Sequence, residues 1–458
     1  VEDFVKALAD GSGRDLTQFM QWYRQAGTPV VKISREYNAS AKTYTLKVSQ
    51  HTPPTPDGSE KKPLHMPMLT SLITRDGKEV HLRLRGETAP QGGERVLELT
   101  EASHEFVFED VASEPVPSLF RGFSAPVHVQ IEYTDAEILF LLANETDAFN
   151  RWDAGQRILS AILLNLADLS KQGKPLQVDN AVLDALFAAV RNPKLDNSFK
   201  ALMLSLPGLD ELSQKQAEIC MESLHKARNF VRQKLAERFH GEMSEMYLAL
   251  KESGSYVFSA EAVGRRSLKN SLLEFLSLTA KPQYLDMAVA QYRSATNMTD
   301  ERAALAVLVS TDAPQRAEIL QDYYTRWKLE PLVLDSWFRI QGTADRPSVL
   351  ADIAALLKHP DFTITNPNRA RSLLMGLSTF NLPAFHAASG EGYRIVADGV
   401  LAADAHNPNL SSRMAREFSQ WKRLEPKQKA LCKKELERLA EQKLSKELFE
   451  VVQNLLTK

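Results

Sequence analysis

The amino-acid sequence predicts a multidomain chain, a β-sandwich followed by an all-α superhelical domain of HEAT-like, solenoid helix pairs. Three observations predict it. Apolar residues recur with period two from Val30 to Tyr133. From Thr134 onward the period is helical, with no strand pattern for over 300 residues. Two Asn-Pro-Asn strings, Asn366-Pro367-Asn368 and Asn407-Pro408-Asn409, stand one HEAT-like repeat length apart.

The first 27 residues look helical. Asp15 with Gln18 suits a helix start, and Leu16, Phe19, Met20 and Tyr23 form one apolar stripe. Gly27 is then expected to stop that helix. Strands follow in which Tyr44, Leu46 and Val48, then Val80, Leu82 and Leu84, then Val127, Val129, Ile131 and Tyr133 alternate with polar residues. Asp76-Gly77 marks a hairpin turn, and the stretch from Thr52 to Pro63 a Pro-rich polar loop. Seven or so short strands in about a hundred residues fit a small sandwich.

Thr134 with Glu137 makes a capping box that opens the helical part. Later stripes are Val182, Leu183, Leu186, Phe187 and Val190, then Val349, Ile353, Leu356 and Leu357, then Leu448, Val451, Val452, Leu455 and Leu456. Each Asn-Pro string supplies an Asn N-cap with Pro at the first helical position.

Composition narrows the class. A chain of 458 residues exceeds the ~250–300 at which a single core stops growing, so two or three domains are expected. Its net charge of −2 argues against nucleic acid or an anionic membrane as main partner. No run approaches the ~18 apolar residues of a membrane span. Two cysteines, Cys220 and Cys432, argue for a reducing, cytoplasmic compartment. The chain opens at Val1 inside a helical pattern, as a piece of something longer would.

No catalytic motif emerges. A zinc peptidase helix needs two His one turn apart with a Glu after the first. His104-Glu105 has Phe108 where the second His should stand, and His240 has no partner. There is no Gly-x-Ser-x-Gly elbow and no phosphate-cradling loop; Gly92-Gly93 marks a turn. Cys220 and Cys432 fit helix packing, and Glu435 and Glu437 fit solvated helix charges. The aromatic group Tyr323, Tyr324, Trp327, Trp337 and Phe338 fits a seam between helices better than a groove.

The arginines after the two caps, Arg369, Arg371 and Arg413, are less ordinary. A cation near a helix N-terminus meets an unfavourable dipole unless an anion joins it. Two such ends side by side can hold a carboxylate; the plainer alternative is that the arginines pair with acidic neighbours or snorkel to water.

Several strings, in order along most of the chain, resemble the bacterial aminopeptidase N family. They are Trp22-Tyr23 leading to Ala26-Gly27-Thr28-Pro29, Ser124-Ala125-Pro126-Val127, and Phe149-Asn150-Arg151-Trp152-Asp153-Ala154. Asn297-Met298-Thr299-Asp300, the run from Asn366 to Leu373, and Pro383-Ala384-Phe385-His386 complete the set. The resemblance implies that residues 1–28 are the last helices of a truncated catalytic domain. It implies a β-sandwich domain at 29–134 and a helical domain at 135–458 that caps the active site. The His-Glu-x-x-His helix, the downstream Glu ligand, the Gly-x-Met-x-Asn segment and the catalytic Tyr would all lie upstream. Zinc would be held by that missing half, with none bound by this chain. The implied partners are the catalytic half and short peptides. Arg371, Arg413 and Asn409 match substrate-side positions, although the family commonly has Gln where Asn409 stands.

The resulting expectation is a non-catalytic portion of a zinc aminopeptidase that shapes and closes the substrate chamber. A free-standing helical-repeat interaction scaffold with an Ig-like module is the alternative, and an unknown enzyme built on the arginines a third. An upstream reading frame encoding His-Glu-x-x-His separates them.

Overall fold

The computed structural model describes residues 1–252, 254 and 256–457. They divide into two compact units, Val1–Ile158 with Asp184–Asn192, and Leu159–Leu183 with Pro193–Lys458.

The first unit holds the sandwich. Its strands are β1 (Val30–Asn38), β2 (Thr43–His51), β3 (Met66–Ile73), β4 (Arg83–Leu84), β5 (Glu94–Leu99), β6 (Ser103–Glu109), β7 (Val116–Leu119) and β8 (His128–Ile131). One sheet runs β4-β6-β2-β1-β8 and the other β5-β3-β7. β1 pairs antiparallel with β2, Ile33 opposite Val48, and parallel with β8. The period-two pattern sets the inner faces. Val31, Ile33, Leu46, Val48 and Phe108 from the larger sheet meet Met66, Met68, Leu72, Leu97 and Leu99 from the smaller one. Asp76-Gly77 turns the chain after β3 as expected, with Gly77 at φ 81° and its N–H donating to Thr74 O.

Two expectations change here. The first 27 residues do not form continuous helices. Helix Glu2–Ser12 ends at left-handed Gly13, and the next regular helix is only Gln21–Arg24. Between them the Asp15 carboxylate accepts the Thr17 N–H, an Asx turn that competes with helix. Gly27 does not stop that helix, which has already ended with Gln25 extended. Gly27, at φ 105°, lets the backbone pass Thr52, whose Cγ2 would lie 2.8 Å from an added Cβ. The strand expected over Val80–Leu84 shrinks to Arg83–Leu84, although Leu82 is fully buried.

Among the described residues no strand follows β8, apart from one parallel bridge between Ile219 and Leu424. Helices pack on their chain neighbours: Met221–Ala249 on Ala260–Ser277, Pro282–Ser294 on Met298–Val309, Glu391–Asp404 on Pro408–Ala415, and Pro426–Ala440 on Lys446–Thr457. Such consecutive pairing is the mark of a solenoid. Many starts are capped by side chains that accept the N–H left over at a helix end: Thr134, Asp196, Ser259, Asn297, Asn366 and Asn407. Thr134 and Glu137 complete the expected capping box.

Candidate arginine site

The histidines and thiols singled out by the sequence make structural contacts. His104 Nε2 accepts the N–H groups of Thr100 and Glu101 at the turn into β6. His240 lies 2.9 Å from Tyr284 Oη and 2.8 Å from Lys281 Nζ. His386 is partly buried beside Tyr393 Oη, and desolvation pushes its imidazole down to about 4. Cys220 and Cys432 are buried free thiols, both pushed up by desolvation and so poor nucleophiles. Among the described residues no three His, Cys, Asp or Glu converge as a metal site.

The aromatic group is a packed seam. Tyr323 and Phe338 are fully buried, and Trp337 donates its Nε1–H to Leu320 O. Glu435 departs from expectation: it is largely covered and accepts from Arg438 Nε at 2.7 Å. Glu437 is half-exposed and paired with Lys433.

The arginines separate into two kinds. Arg369 is buried, bonds Asp335 and the Asp361 carbonyl, and lies 5.0 Å over the Phe338 ring. It takes the plainer alternative, pairing with an acidic neighbour. Arg371 and Arg413 are exposed, as is Asn409. Among the described residues the Arg371 guanidinium reaches the neutral Asn368 amide, Nη1 to Oδ1 at 3.4 Å, in a contact too long to hold it firmly.

Local structure places these residues on two capped helices that pack on a common third. Asn366 caps helix Pro367–Ala370, accepting the N–H groups of Asn368 and Arg369, and Asn407 caps Pro408–Ala415 through the Leu410 N–H. The first helix continues through a π turn, Arg371–Met375, into Gly376–Phe380. Such single π turns inside helices recur at functional positions. Both helices pack on Glu391–Asp404, where a Cβ at Gly399 would meet Leu374 Cδ1 at 2.5 Å and Met414 Cε at 3.4 Å. Further along, Thr379 Oγ1 donates to Glu417 Oε2 at 3.0 Å and ties the two helices together. Eight residues before each of these stand Arg371 and Asn409. Burial raises the Glu417 carboxyl above the usual range, against the pull of Thr379, Ser378 and Arg413.

Two exposed guanidiniums and a primary amide, on adjacent capped helices, offer planar N–H donors to an anion. Nothing in this set supplies a nucleophile or a metal ligand. Glu417 went unnoticed in the sequence, although its place four residues after Arg413 is the spacing of a helical charge pair.

The family model described as "Domain of unknown function (DUF3458_C) ARM repeats" matches residues 135–457. That described as "Domain of unknown function (DUF3458) Ig-like fold" matches residues 27–132. Aminopeptidase N of Escherichia coli is 36% identical over 98% of this chain and 51% of its own length. Aminopeptidase N of Haemophilus influenzae is 33% identical over 99% and 52%, and that of Caulobacter vibrioides 34% over 100% and 51%. Among solved structures, Legionella pneumophila aminopeptidase A in complex with aspartic acid superposes with a TM-score of 0.82 at 26% identity. That match covers all of this chain and 52% of the other. The chain spans about half the length of the curated relatives it matches.

Proposed function

The chain belongs to the aminopeptidase N family, whose C-terminal half it matches, and from that premise we propose that it closes and shapes the substrate chamber of a zinc aminopeptidase. In this reading the parent enzyme removes N-terminal residues from short peptides. The other half of the relatives' length supplies the catalytic groups and holds the zinc. Among the described residues no ligand set for a zinc ion converges, which supports reading this portion as the one that does not carry the metal.

One observation carries the reading: relatives named Aminopeptidase N align with nearly every residue of this chain, yet only about half of each is used. A free-standing scaffold would have no need of that constant remainder. A cytoplasmic setting is supported by the two free, buried thiols. No helix among the described residues is long and apolar enough to cross a membrane.

Within this reading Arg371, Asn409 and Arg413 are the substrate-side residues, and the guanidiniums attract the C-terminal carboxylate of a short peptide. Their exposure leaves them solvated, so each contact is worth about 1–3 kcal/mol at most. In the full-length enzyme, Arg371→Ala and Arg413→Ala are expected to lower kcat/KM for a dipeptide with a free carboxylate. The same variants should leave its C-terminal amide nearly unaffected. Equal losses on both substrates, or none on either, would return the arginines to a structural or solvated role.

A further inference from the structure

We infer that a polar cavity of the helical unit, walled by Lys251 and Lys269, binds a small oxyanion of the carboxylate or phosphate class. It shares no residue with the arginine site, and the inference does not depend on the substrate-side reading of Arg371, Asn409 and Arg413.

Four helices bring the cavity together. Met221–Ala249 supplies Tyr247 and leads out to Lys251, Ala260–Ser277 supplies Lys269, Pro282–Ser294 supplies Gln291, and Met298–Val309 supplies Asp300. With Glu252 these residues line a space of about 240 Å³. Lys269 and Asp300 are 5% and 4% exposed, and Nζ lies 2.6 Å from Oδ2.

Most of this wall is hydrogen-bonded internally. Asp300 Oδ2 also accepts from Asn297 Nδ2 at 3.1 Å, and Oδ1 accepts from Asn270 Nδ2 at 3.0 Å. Gln291 Oε1 accepts the Tyr247 hydroxyl, and Nε2 donates to Asn270 Oδ1 and the Asp300 carbonyl. Lys269 is different. An ammonium carries three donors, and among the described residues Asp300 is its one acceptor. Two N–H groups of a buried cation are left over, which costs free energy unless something in the cavity accepts them.

Charge decides what that is. Asp300 balances Lys269, and the buried Arg266 grips Glu252 at 3.0 and 3.1 Å. Lys251 remains, 5.8 Å over the Tyr247 ring and without an acidic partner among the described residues. Water accepts the spare N–H groups of Lys269 but leaves this surplus cation. An oxyanion answers both, with acceptors for Lys269 and a negative charge beside Lys251.

The test uses the whole 458-residue chain. Sodium acetate and inorganic phosphate are titrated separately by calorimetry at pH 7, each against sodium chloride at matched ionic strength. Saturable binding of one anion per chain is expected, absent with chloride, and the tighter of the two tells carboxylate from phosphate. Lys251→Ala, at an exposed position, should raise Kd about two- to fivefold, the range of an exposed ion pair. Lys269→Met/Asp300→Asn removes both buried charges together, so that neither is stranded, and should weaken binding at least about tenfold. The bound anion touches several helices, so the native chain should melt higher as it is added, and the double variant should not. If the double variant does not fold, Lys251→Ala alone decides. No saturable binding of either anion, an unchanged Kd in Lys251→Ala, or binding that survives in the folded double variant would overturn the inference and leave the cavity to water.

Discussion

At the scale of residues, Arg369 and Arg371 show how one short string serves two physical ends. They are two positions apart, so in a helix they point to nearly opposite sides. The spacing from Asn366 marked both as unusual, but only packing decides which is covered. Arg369 turns to Asp335, with both side chains under a tenth exposed, and it also satisfies the Asp361 carbonyl. Removing the guanidinium would strand the Asp335 carboxylate in a place with little water. Arg369→Ala should therefore destabilise the helical unit by about 3–5 kcal/mol, whereas Arg371→Ala, at an exposed site, should stay within about 0.5 kcal/mol. Urea titrations of the two variants followed by circular dichroism check this. Similar midpoints for both would mean that the Asp335 pair contributes little. The same contrast explains why the candidate site was half legible: residue type and capping context are visible in sequence, and burial two residues apart is not. Glu417 was missed for a related reason. Its link to Thr379 joins residues 38 apart, and no local pattern announces a contact across a repeat.

Elements were more legible, because their signals are local. The Thr134–Glu137 box and the Asn-Pro caps each depend on three or four consecutive residues, and all formed as the sequence implied. Failures came where a second local preference competed. The Asx turn at Asp15 and the left-handed Gly13 broke the expected helical run despite its apolar stripe. Trp22, next to that stripe, packs against the sandwich core and donates Nε1–H to His65 O. The capping box also does more than start a helix. Arg35 on β1 grips Glu137 with two N–H groups, at 2.7 and 2.6 Å. That bond, together with the Thr134 N–H, holds the buried carboxyl near 2 rather than 4.5. A depressed carboxylate stabilises the fold above its unfolded pKa and loses that contribution as pH falls through its folded one. The difference in stability between the native chain and Glu137→Gln should be on the order of 2 kcal/mol at pH 7. It should narrow below about pH 4.5 and nearly close toward pH 2. Thermal melts of both across that range decide the matter, and a gap independent of pH would show that the Arg35 bond is not what the capping residue contributes.

At the scale of the whole molecule, fold class and family membership agree with what the period change near Thr134 and the ordered strings implied. One surface still lacks an explanation within the chain. Helix Glu2–Ser12 presents Phe4 and Leu8 to solvent, 65% and 49% exposed, while Val5, on the flank of the same apolar stripe, is buried. The apolar stripe of this helix is thus covered along one edge only. Each histidine with a metal-like sequence context is committed elsewhere: His104 to two backbone N–H groups, His240 to Tyr284 and Lys281. A structural zinc needs four ligands and a catalytic one at least three, at ~2.0–2.3 Å, and rearranging these side chains to supply them would break the turns and helix contacts they now hold. After dialysis against a weak chelator, this chain alone should retain far less than one zinc per molecule and should not hydrolyse an aminoacyl-anilide. Addition of the separately purified catalytic half should restore both together, since the ligands and the general base would arrive on the same segment. One tightly held zinc on the chain alone, or anilide hydrolysis without its partner, would place a reaction centre inside these residues and overturn the division of labour proposed for the two halves.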